Sequence, residues 1–391
     1  MAHRVLVMAS RVLVMACLLA ASQAASPSSL RNAYAARRMT HTEPNLPVKD
    51  AQHGSSHSQG RRLVMVKPTD AHIARMGRMV EQADGSVRFG YPGVRFTFSF
   101  TGTSLSMDAW SSGDNSFLEA VIDGGAPQLI DVRRERATFT LIAADKAAVH
   151  RVEIMHRSET WHGVVTLASF NVDGKLAPAP RLPARKMLVL GDSVTCSEGV
   201  ERMSGEAKNS RWWDPRHSYG MLAAQALGAQ VQLVCHGGRG LVRSWNNRTD
   251  EANLPDYYGY AIADAKSPER WDQQRFDPDL IVSAIGTNDF NPGIPEREAY
   301  VSKYMELVRT LLRDHSHARI VLTEGSILSG DKKAALQAYI DETVRRLGSE
   351  RVSAARSEYY PGDASDGHPT GAQHAQMADD LVPQLKAVMG W

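Results

Sequence analysis

Four short polar segments of the chain contain the residue types that ester hydrolysis requires, and three of them directly follow apolar runs. Gly191-Asp192-Ser193 follows the first run, residues 235–240 (CHGGRG) the second and residues 286–289 (GTND) the third, while residues 366–369 (DGHP) stand between the last run and the last helix. Hydrolysis through a covalent intermediate needs a nucleophile, a base, a group that orients the base, and donors for the oxyanion. Because parallel strands end at a common edge of a sheet, we expect the four segments to meet there.

Each segment supplies one part of this reaction. The apolar run before Ser193 predicts a buried strand that delivers the serine to a strand-to-helix corner, where the helix N-terminus favours negative charge. His368 is predicted to take the serine proton and to return it to the leaving alcohol. The backbone amides of Ser193 and Gly238 and the side-chain amide of Asn288 are predicted to bind the oxyanion. The motif Gly-x-Ser-x-Gly does not occur, so the corner is of another type.

The order of these residues resembles that of the SGNH (GDSL-type) hydrolases, whose four blocks supply a serine, a glycine, an asparagine and a histidine. Here the blocks correspond to Ser193, Gly238, Asn288 and His368, and the resemblance covers residues 186–391. The β-rich segment before them, the GDSVTC opening and the HGGRGLVR block joined to SWNNR are similar, more narrowly, to carbohydrate esterase family 2. That resemblance implies a jelly-roll domain followed by an SGNH domain, and an enzyme that removes acetyl groups from plant polysaccharides such as xylan.

The group that orients the histidine ring has alternatives. In most SGNH hydrolases an aspartate lies three residues before the histidine, but Ser365 holds that position here and Asp366 is two residues before it. The esterase family that the chain resembles tends to have the shorter spacing, which favours Asp366. Asp363 or a backbone carbonyl is the alternative, because the ring needs only an acceptor for its Nδ1–H.

The pattern of apolar residues predicts two folded domains. Residues 63–176 alternate apolar and polar side chains over short segments separated by turns, which predicts a β-sandwich, a jelly roll according to the resemblance. Residues 177–185 contain three prolines and predict a stiff linker. Residues 186–391 alternate apolar runs with helical stretches, which predicts an α/β domain with a mainly parallel sheet between helices, the flavodoxin-like three-layer arrangement of SGNH hydrolases. The predicted strands are Met187–Leu190, Val231–Val234, Leu280–Ile285, Ile320–Leu322 and Arg351–Ala355, and the predicted helices are Ser218–Leu227, Arg297–Asp314, Lys332–Leu347 and Ala372–Met389.

The N-terminal segment predicts export. Residues 1–25 have a basic start, apolar stretches and small residues at their end, as in a secretory signal peptide, so we expect a secreted or periplasmic protein without a stable membrane anchor. A lipoprotein attached through Cys17 is the alternative, and the repeated RVLVMA makes Met8 or Met15 an alternative start. Residues 26–62 are polar and rich in His, Ser and Pro, which predicts a disordered lead-in.

The cysteines, the charge and the motifs bound the remaining chemistry. Cys196 and Cys235 each lie just past a predicted strand, so a disulfide is sterically feasible if those strands are neighbours, and two unpaired buried thiols are the alternative. A net charge of +2 gives no reason to expect a nucleic-acid partner. Zinc, calcium and nucleotide motifs do not occur, so neither a metal nor a cofactor is expected.

Loops between the four segments contain candidate substrate-binding residues. Sugar rings stack on aromatic faces, and an arginine can meet their hydroxyls; packing beneath the loops and pairing with surface carboxylates are the alternatives. The candidates are Trp212, Trp213, Arg239, Trp245, Tyr257 and Tyr258. His374, six residues after His368, is predicted to be solvated.

The sequence therefore predicts an exported serine esterase that removes O-acetyl groups from a carbohydrate, with acetylated xylan as the example, through an acyl-enzyme on Ser193. One alternative is an esterase for another acyl group or carrier: a lipase, a thioesterase or a peptidoglycan O-acetylesterase. The other is a carbohydrate-binding protein with an inert hydrolase fold. Which polysaccharide and which hydroxyl position react depends on loop shapes.

Overall fold

The computed structural model describes residues 63–203 and 205–391. The predicted signal peptide, residues 1–25, and the predicted lead-in, residues 26–62, lie outside the described residues. A ten-stranded antiparallel sheet ends at Leu176, and the first strand of a parallel sheet begins at Arg185.

The β region consists of short strands and three longer ones. They are β1 (Val64–Val66), β2 (Ala74–Met76), β3 (Val80–Glu81), β4 (Val87–Phe89), β5 (Arg95–Ser111), β6 (Ser116–Ile122), β7 (Gln128–Val132), β8 (Ala137–His156), β9 (Val165–Val172) and β10 (Lys175–Leu176). The main path of the sheet has the order β3-β4-β9-β5-β8-β6-β7. β1 pairs with β9, and β2 and β10 pair with β5.

The sheet folds onto itself at the middle of β5. Phe170 of β9 pairs with Met107 in the ladder, yet its ring also packs on Phe98 with ring centroids 4.8 Å apart. In a straight strand, nine residues would separate those two β5 positions by about 30 Å. The register shifts after Gly102, where an added Cβ would lie 2.4 Å from a carboxylate oxygen of Asp173. The two halves of β5 therefore face each other across a buried apolar core, as the predicted sandwich requires.

The C-terminal region has a central parallel sheet. Its strands are β11 (Arg185–Gly191), β12 (Ala229–Cys235), β15 (Leu280–Ala284), β16 (Arg319–Thr323) and β17 (Val352–Ala354), while β13 (Tyr260–Ile262) and β14 (Glu269–Arg270) form a separate pair. The order is β12-β11-β15-β16-β17, and every neighbouring pair is parallel. The helices are α1 (Tyr219–Ala226), α2 (Leu254–Tyr257), α3 (Thr287–Phe290), α4 (Arg297–Asp314), α5 (Gly330–Leu347) and α6 (Gly371–Met389). The predicted α/β architecture is confirmed, and the predicted strands and helices agree with these bounds within two residues.

Helices cover both faces of the parallel sheet. Leu188 and Leu190 of β11 belong to the core that contains α4 and α5, whereas Met187 and Val189 belong to the core that contains α1 and α6. Because successive side chains of a strand point to opposite faces, an apolar run without alternation is what a strand buried on both sides requires.

The β region packs closely on the α/β region. The buried Arg157, directly after β8, donates to the Trp213 carbonyl at 2.7 Å and to Glu119 at 3.2 Å. Glu119 also accepts from Arg216 at 2.6 Å. Because the buried Arg157 and Glu119 each hydrogen-bond to a residue of the α/β region, the contact between the regions is specific in its geometry.

Candidate active site

Ser193 lies two residues after the end of β11, in a series of turns. The prediction of an α-helix at this corner is wrong, because residues 193–200 form turns. The Cys196 N–H donates to the Asp192 carbonyl and the Glu198 N–H donates to the Ser193 carbonyl, both at 3.0 Å. Ser197 has a φ of 68°, and a right-handed helix cannot pass through a left-handed residue. Asp192 braces the turn by accepting the Val194 N–H at 3.1 Å.

A disulfide joins Cys196 to Cys235, with their Cα atoms 5.6 Å apart. The disulfide was feasible only if the strands before the two cysteines are neighbours, and β11 and β12 are parallel neighbours. The bond ties the turns after Ser193 to the end of β12, where the segment containing Gly238 begins.

Ser193, His368 and Asp366 form a continuous hydrogen-bonded chain. His368 Nε2 lies 2.9 Å from Ser193 Oγ, and His368 Nδ1 lies 2.7 Å from Asp366 Oδ1. The segment is fixed at its far end, because Thr370 caps α6 and shares a reciprocal capping box with Gln373. Of the alternative acceptors, Asp363 is directed elsewhere: it pairs with Arg202 at 3.0 Å.

The surroundings of the histidine favour its protonated form. Burial alone lowers the pKa of His368, but the hydrogen bond to Asp366 and the charge of Glu198 outweigh burial, so the pKa is raised above its usual value. For Asp366, burial raises the pKa, but hydrogen bonds from His368 and Lys208 hold it well below its usual value. Asp366 therefore remains ionised beside the His368 ring.

A lysine completes this cluster of charges. Lys208 Nζ lies 2.7 Å from Asp366 Oδ2 and also pairs with Glu198, whose Oε2 lies 3.5 Å from His368 Nε2. Among the residues that the structure describes, Glu198, Asp366 and His368 offer ligand-type atoms within 4.8 Å of one another. The Lys208 ammonium contacts both carboxylates of this group, so their negative charge is balanced by a lysine side chain.

The third segment lies beside the second. Asn288, in α3, donates from Nδ2 to the Arg239 carbonyl at 2.8 Å, and an amide carries a second N–H for another acceptor. The next residue, Asp289, is buried and accepts the N–H groups of Leu241, Val242 and Arg243 at 2.7 to 3.1 Å. Burial raises the pKa of Asp289 to about 6 despite these bonds. Asp289 thus fixes the loop that contains Gly238.

Gly238 has two reasons to be glycine. Its φ is 73°, and a Cβ there would lie 2.8 Å from Cδ1 of the Trp245 ring. The Trp245 N–H donates to the Gly238 carbonyl at 2.9 Å. Within residues 63–203 and 205–391, neither the Ser193 N–H nor the Gly238 N–H donates to a protein acceptor, so both amides are available to an oxyanion.

The candidate substrate-binding residues divide into exposed and buried ones. Trp245 is 58% exposed beside Gly238. The other candidate aromatic residues are buried and have no free ring face, so the expectation that they stack on sugar rings is wrong. They are Trp212, Trp213, Tyr257 and Tyr258. Arg239 pairs with Glu251, which already neutralises its charge. His374 is also buried rather than solvated, and its Nδ1 accepts the Tyr219 N–H at 3.1 Å.

One turn of the β region reaches the site and was not predicted. Glu159 is buried and accepts the Gly237 N–H at 2.5 Å and the Trp213 indole N–H at 2.8 Å. Trp161 is 55% exposed, with its ring centroid 6.0 Å from that of Trp213. Both residues belong to the short segment SETWHG of the β region. The local sequence of this segment does not indicate that it lies near the strand ends of the α/β region.

No helix in the described part of the chain is long and apolar enough to cross a membrane.

Comparison with known families matches both regions of the chain. Residues 75–180 match the family described as "Carbohydrate esterase 2 N-terminal", and residues 189–376 match the "GDSL-like Lipase/Acylhydrolase family". The chain is 53% identical to an acetylxylan esterase/glucomannan deacetylase of Cellvibrio japonicus, over 83% of this chain and 91% of the relative.

Solved structures give the same picture. A family two carbohydrate esterase from Cellvibrio japonicus superposes with a TM-score of 0.83 at 52% identity, covering 84% of this chain and 99% of that one. A family two carbohydrate esterase from Clostridium thermocellum, solved with cellohexaose, superposes with a TM-score of 0.75 at 26% identity, covering 82% of this chain and 99% of that one.

Proposed function

The chain belongs to carbohydrate esterase family 2, a family of carboxylic ester hydrolases, and we propose that it removes O-acetyl groups from a plant polysaccharide through an acyl-enzyme on Ser193. The observation that carries the proposal is the hydrogen-bonded chain from Ser193 Oγ to His368 at 2.9 Å and from His368 to Asp366 at 2.7 Å. This chain lies at the strand ends, and the amides of Ser193 and Gly238 are the backbone donors that we propose for the oxyanion.

The first half of the reaction transfers the acetyl group to the protein. Ser193 Oγ attacks the carbonyl carbon of the acetyl ester while His368 Nε2 takes the hydroxyl proton. The negative charge moves to the carbonyl oxygen, where the amides of Ser193 and Gly238 and the Asn288 side chain donate to it. The carbon–oxygen bond to the sugar then breaks, His368 gives the proton to the departing sugar oxygen, and acetyl-Ser193 remains.

The second half repeats these steps with water. His368 takes a proton from a water molecule, whose oxygen attacks the acetyl carbon of acetyl-Ser193. The tetrahedral intermediate collapses, the bond to Ser193 Oγ breaks, and His368 returns the proton to that oxygen. Acetate leaves, and both histidine and serine are restored.

Relatives and exposed rings indicate the substrate. The Cellvibrio japonicus relative is named for acetylxylan and glucomannan, and a Clostridium thermocellum structure holds cellohexaose, which is a chain of sugar rings. Trp245 exposes its ring beside Gly238, and Trp161 exposes its ring beside Trp213. Aromatic faces of this kind bind sugar rings by stacking. We propose an acetylated xylan or glucomannan chain as the substrate. We also propose that the protein is exported after removal of its signal peptide and that it needs no cofactor.

The test is acetate release from acetylated xylan and acetylated glucomannan by the protein beginning near Ala25. Ser193→Ala is expected to abolish release, and Ser365→Ala, in the exposed loop before His368, serves as the matched control that keeps it. Unchanged release by Ser193→Ala would remove the serine from the mechanism. Binding of the polysaccharide without release by the unmodified protein would favour the inert binding protein.

A further inference from the structure

Glu159 is a buried carboxylate of the β region that caps the short turn Thr160–His162 and also reaches the α/β region. Its side chain is buried between the two regions, where it contacts Gly237 and Trp213, and among the described residues it forms no ion pair with an arginine, lysine or histidine. Burial and the nearby charge of Glu198 raise the pKa of Glu159 to about 7. Burying an unpaired carboxyl group costs free energy, which an apolar residue of similar size would avoid.

The partners of Glu159 show what it holds. Oε2 accepts the N–H of Gly237, Oε1 accepts the indole N–H of Trp213, and the Trp161 side chain donates to the same carboxylate. Gly237 is the residue before Gly238, whose amide is a proposed donor to the oxyanion. The carboxylate therefore contacts the backbone one residue away from a donor of the oxyanion site.

The geometry of the two glycines makes such a contact consequential. Gly237 and Gly238 have no side chains, so their dihedral angles are weakly restricted by the residues themselves. Glu159 fixes the Gly237 N–H, and the Trp245 N–H fixes the Gly238 carbonyl at 2.9 Å. The Gly238 N–H lies between these two fixed points. Preorganised donors stabilise a developing oxyanion only when their direction is fixed before the reaction.

We propose that Glu159 is a positioning residue of the esterase site: the β region uses its carboxylate to hold the Gly237-Gly238 backbone so that the Gly238 N–H is directed at the oxyanion. This inference rests on the proposed function. It assigns to the β region a part in the chemical step, in addition to any part in holding the polysaccharide.

The experiment measures kcat and KM on 4-nitrophenyl acetate, which has no sugar chain, and on acetylated xylan. Glu159→Ala is expected to lower kcat on both substrates by about 10-fold or more, with KM changed by less than about 2-fold, because a misdirected donor affects the transition state more than substrate binding. Glu159→Gln keeps an acceptor at the same reach and is expected to retain more of kcat. Glu159→Asp keeps the charge but withdraws the acceptor from Gly237, and is expected to lose nearly as much as Glu159→Ala.

Glu119→Gln is the matched control. Glu119 is also a buried carboxylate of the β region that contacts the α/β region, through Arg216, but it does not contact the Gly237 loop. A loss of kcat in Glu119→Gln as large as in the Glu159 variants would overturn the proposal, because it would reflect the general contact between the regions. Thermal unfolding of each variant shows whether it is folded; if Glu159→Ala does not fold, the Gln and Asp variants decide.

Three further outcomes are distinguishable. Retention of kcat by Glu159→Asp together with its loss in Glu159→Gln would overturn the proposal in favour of a role for charge. If Ser193→Ala hydrolyses both substrates as fast as the unmodified protein, the proposed function fails first, and this inference fails with it. Full loss in Ser193→Ala with unchanged kcat in all Glu159 variants overturns the positioning role alone.

Discussion

Two of the carboxylates at the candidate site, Asp366 and Glu159, have opposite surroundings. Asp366, at the strand ends of the α/β region, contacts His368 and Lys208, and its pKa lies well below the usual value. Glu159, from the β region, contacts only N–H donors, and burial with the charge of Glu198 raises its pKa to about 7. The comparison supports the different tasks proposed for them: Asp366 to stabilise charge that develops on the histidine during the reaction, and Glu159 to orient the Gly237-Gly238 backbone.

The strand-end half of the site is expected to give the largest effect on substitution. Asp366→Ala removes the acceptor for His368 Nδ1 and is expected to lower kcat by about 10²- to 10⁴-fold, the range of general acid–base catalysis. Asp363→Ala, three residues earlier, is expected to lose much less, since Asp363 pairs with Arg202 instead. Equal losses in the two variants would show that the loop, rather than the Asp366 contact, is what matters.

The same variant has a signature in its pH dependence. Because Asp366 and Glu198 raise the pKa of His368, removal of Asp366 lowers that pKa, and the neutral base persists to lower pH. The acid limb of the kcat/KM profile of Asp366→Ala is therefore expected to move to lower pH relative to the unmodified protein. A limb that stays in place, or moves to higher pH, would contradict the assignment of this limb to His368.

Loss of an oxyanion donor is expected to come next in size. Asn288→Ala is expected to lower kcat by about 10²- to 10³-fold with little change in KM, as for removal of other such donors. Asn291→Ala is the control, because Asn291 lies one turn further along and donates to the Trp245 carbonyl instead. A change confined to KM in Asn288→Ala would assign this side chain to ground-state binding.

The two exposed tryptophans are expected to give the smallest effects and to differ from each other. Trp161→Ala is expected to raise KM for acetylated xylan by about 2- to 10-fold, which corresponds to the loss of one stacking contact, and to change kcat on 4-nitrophenyl acetate less than Glu159→Ala does, because Glu159 keeps its contacts with Gly237 and Trp213. Trp245→Ala also removes the ring beside Gly238, so kcat on the small ester is expected to fall as well. Identical profiles for the two variants would contradict this division between the regions.

The sequence predicted the strand ends well for a physical reason. Buried parallel strands need unbroken apolar runs, and β11, β12 and β15 have them, so the polar segments that follow could be located from local pattern alone. The same reasoning brought Ser193 and His368 together although 175 positions separate them. Asp366 was predicted as the acceptor because the family that the chain resembles has the same spacing before the histidine. In the structure, Asp366 Oδ1 lies 2.7 Å from His368 Nδ1.

Other features could not be predicted, because they depend on contacts distant in sequence. The helix expected after Ser193 is absent since Ser197 is left-handed and Cys196 is tied to Cys235. Trp212 and Tyr258 occur in loop sequence but pack inside, where the aromatic rings bury more apolar area than they would as sugar platforms. Glu159 is the strongest case, because two of its partners lie 54 and 78 positions away, in another domain.

The most direct test of the central claim is to identify the acylated residue. The protein is mixed with 4-nitrophenyl acetate, quenched in acid within one turnover, and digested for mass spectrometry, with Ser193→Ala treated in parallel. The account predicts one acetyl group on the peptide that contains Ser193, and none on the corresponding peptide of the variant. Acetyl transfer to a different residue, or full turnover by the variant, would contradict it.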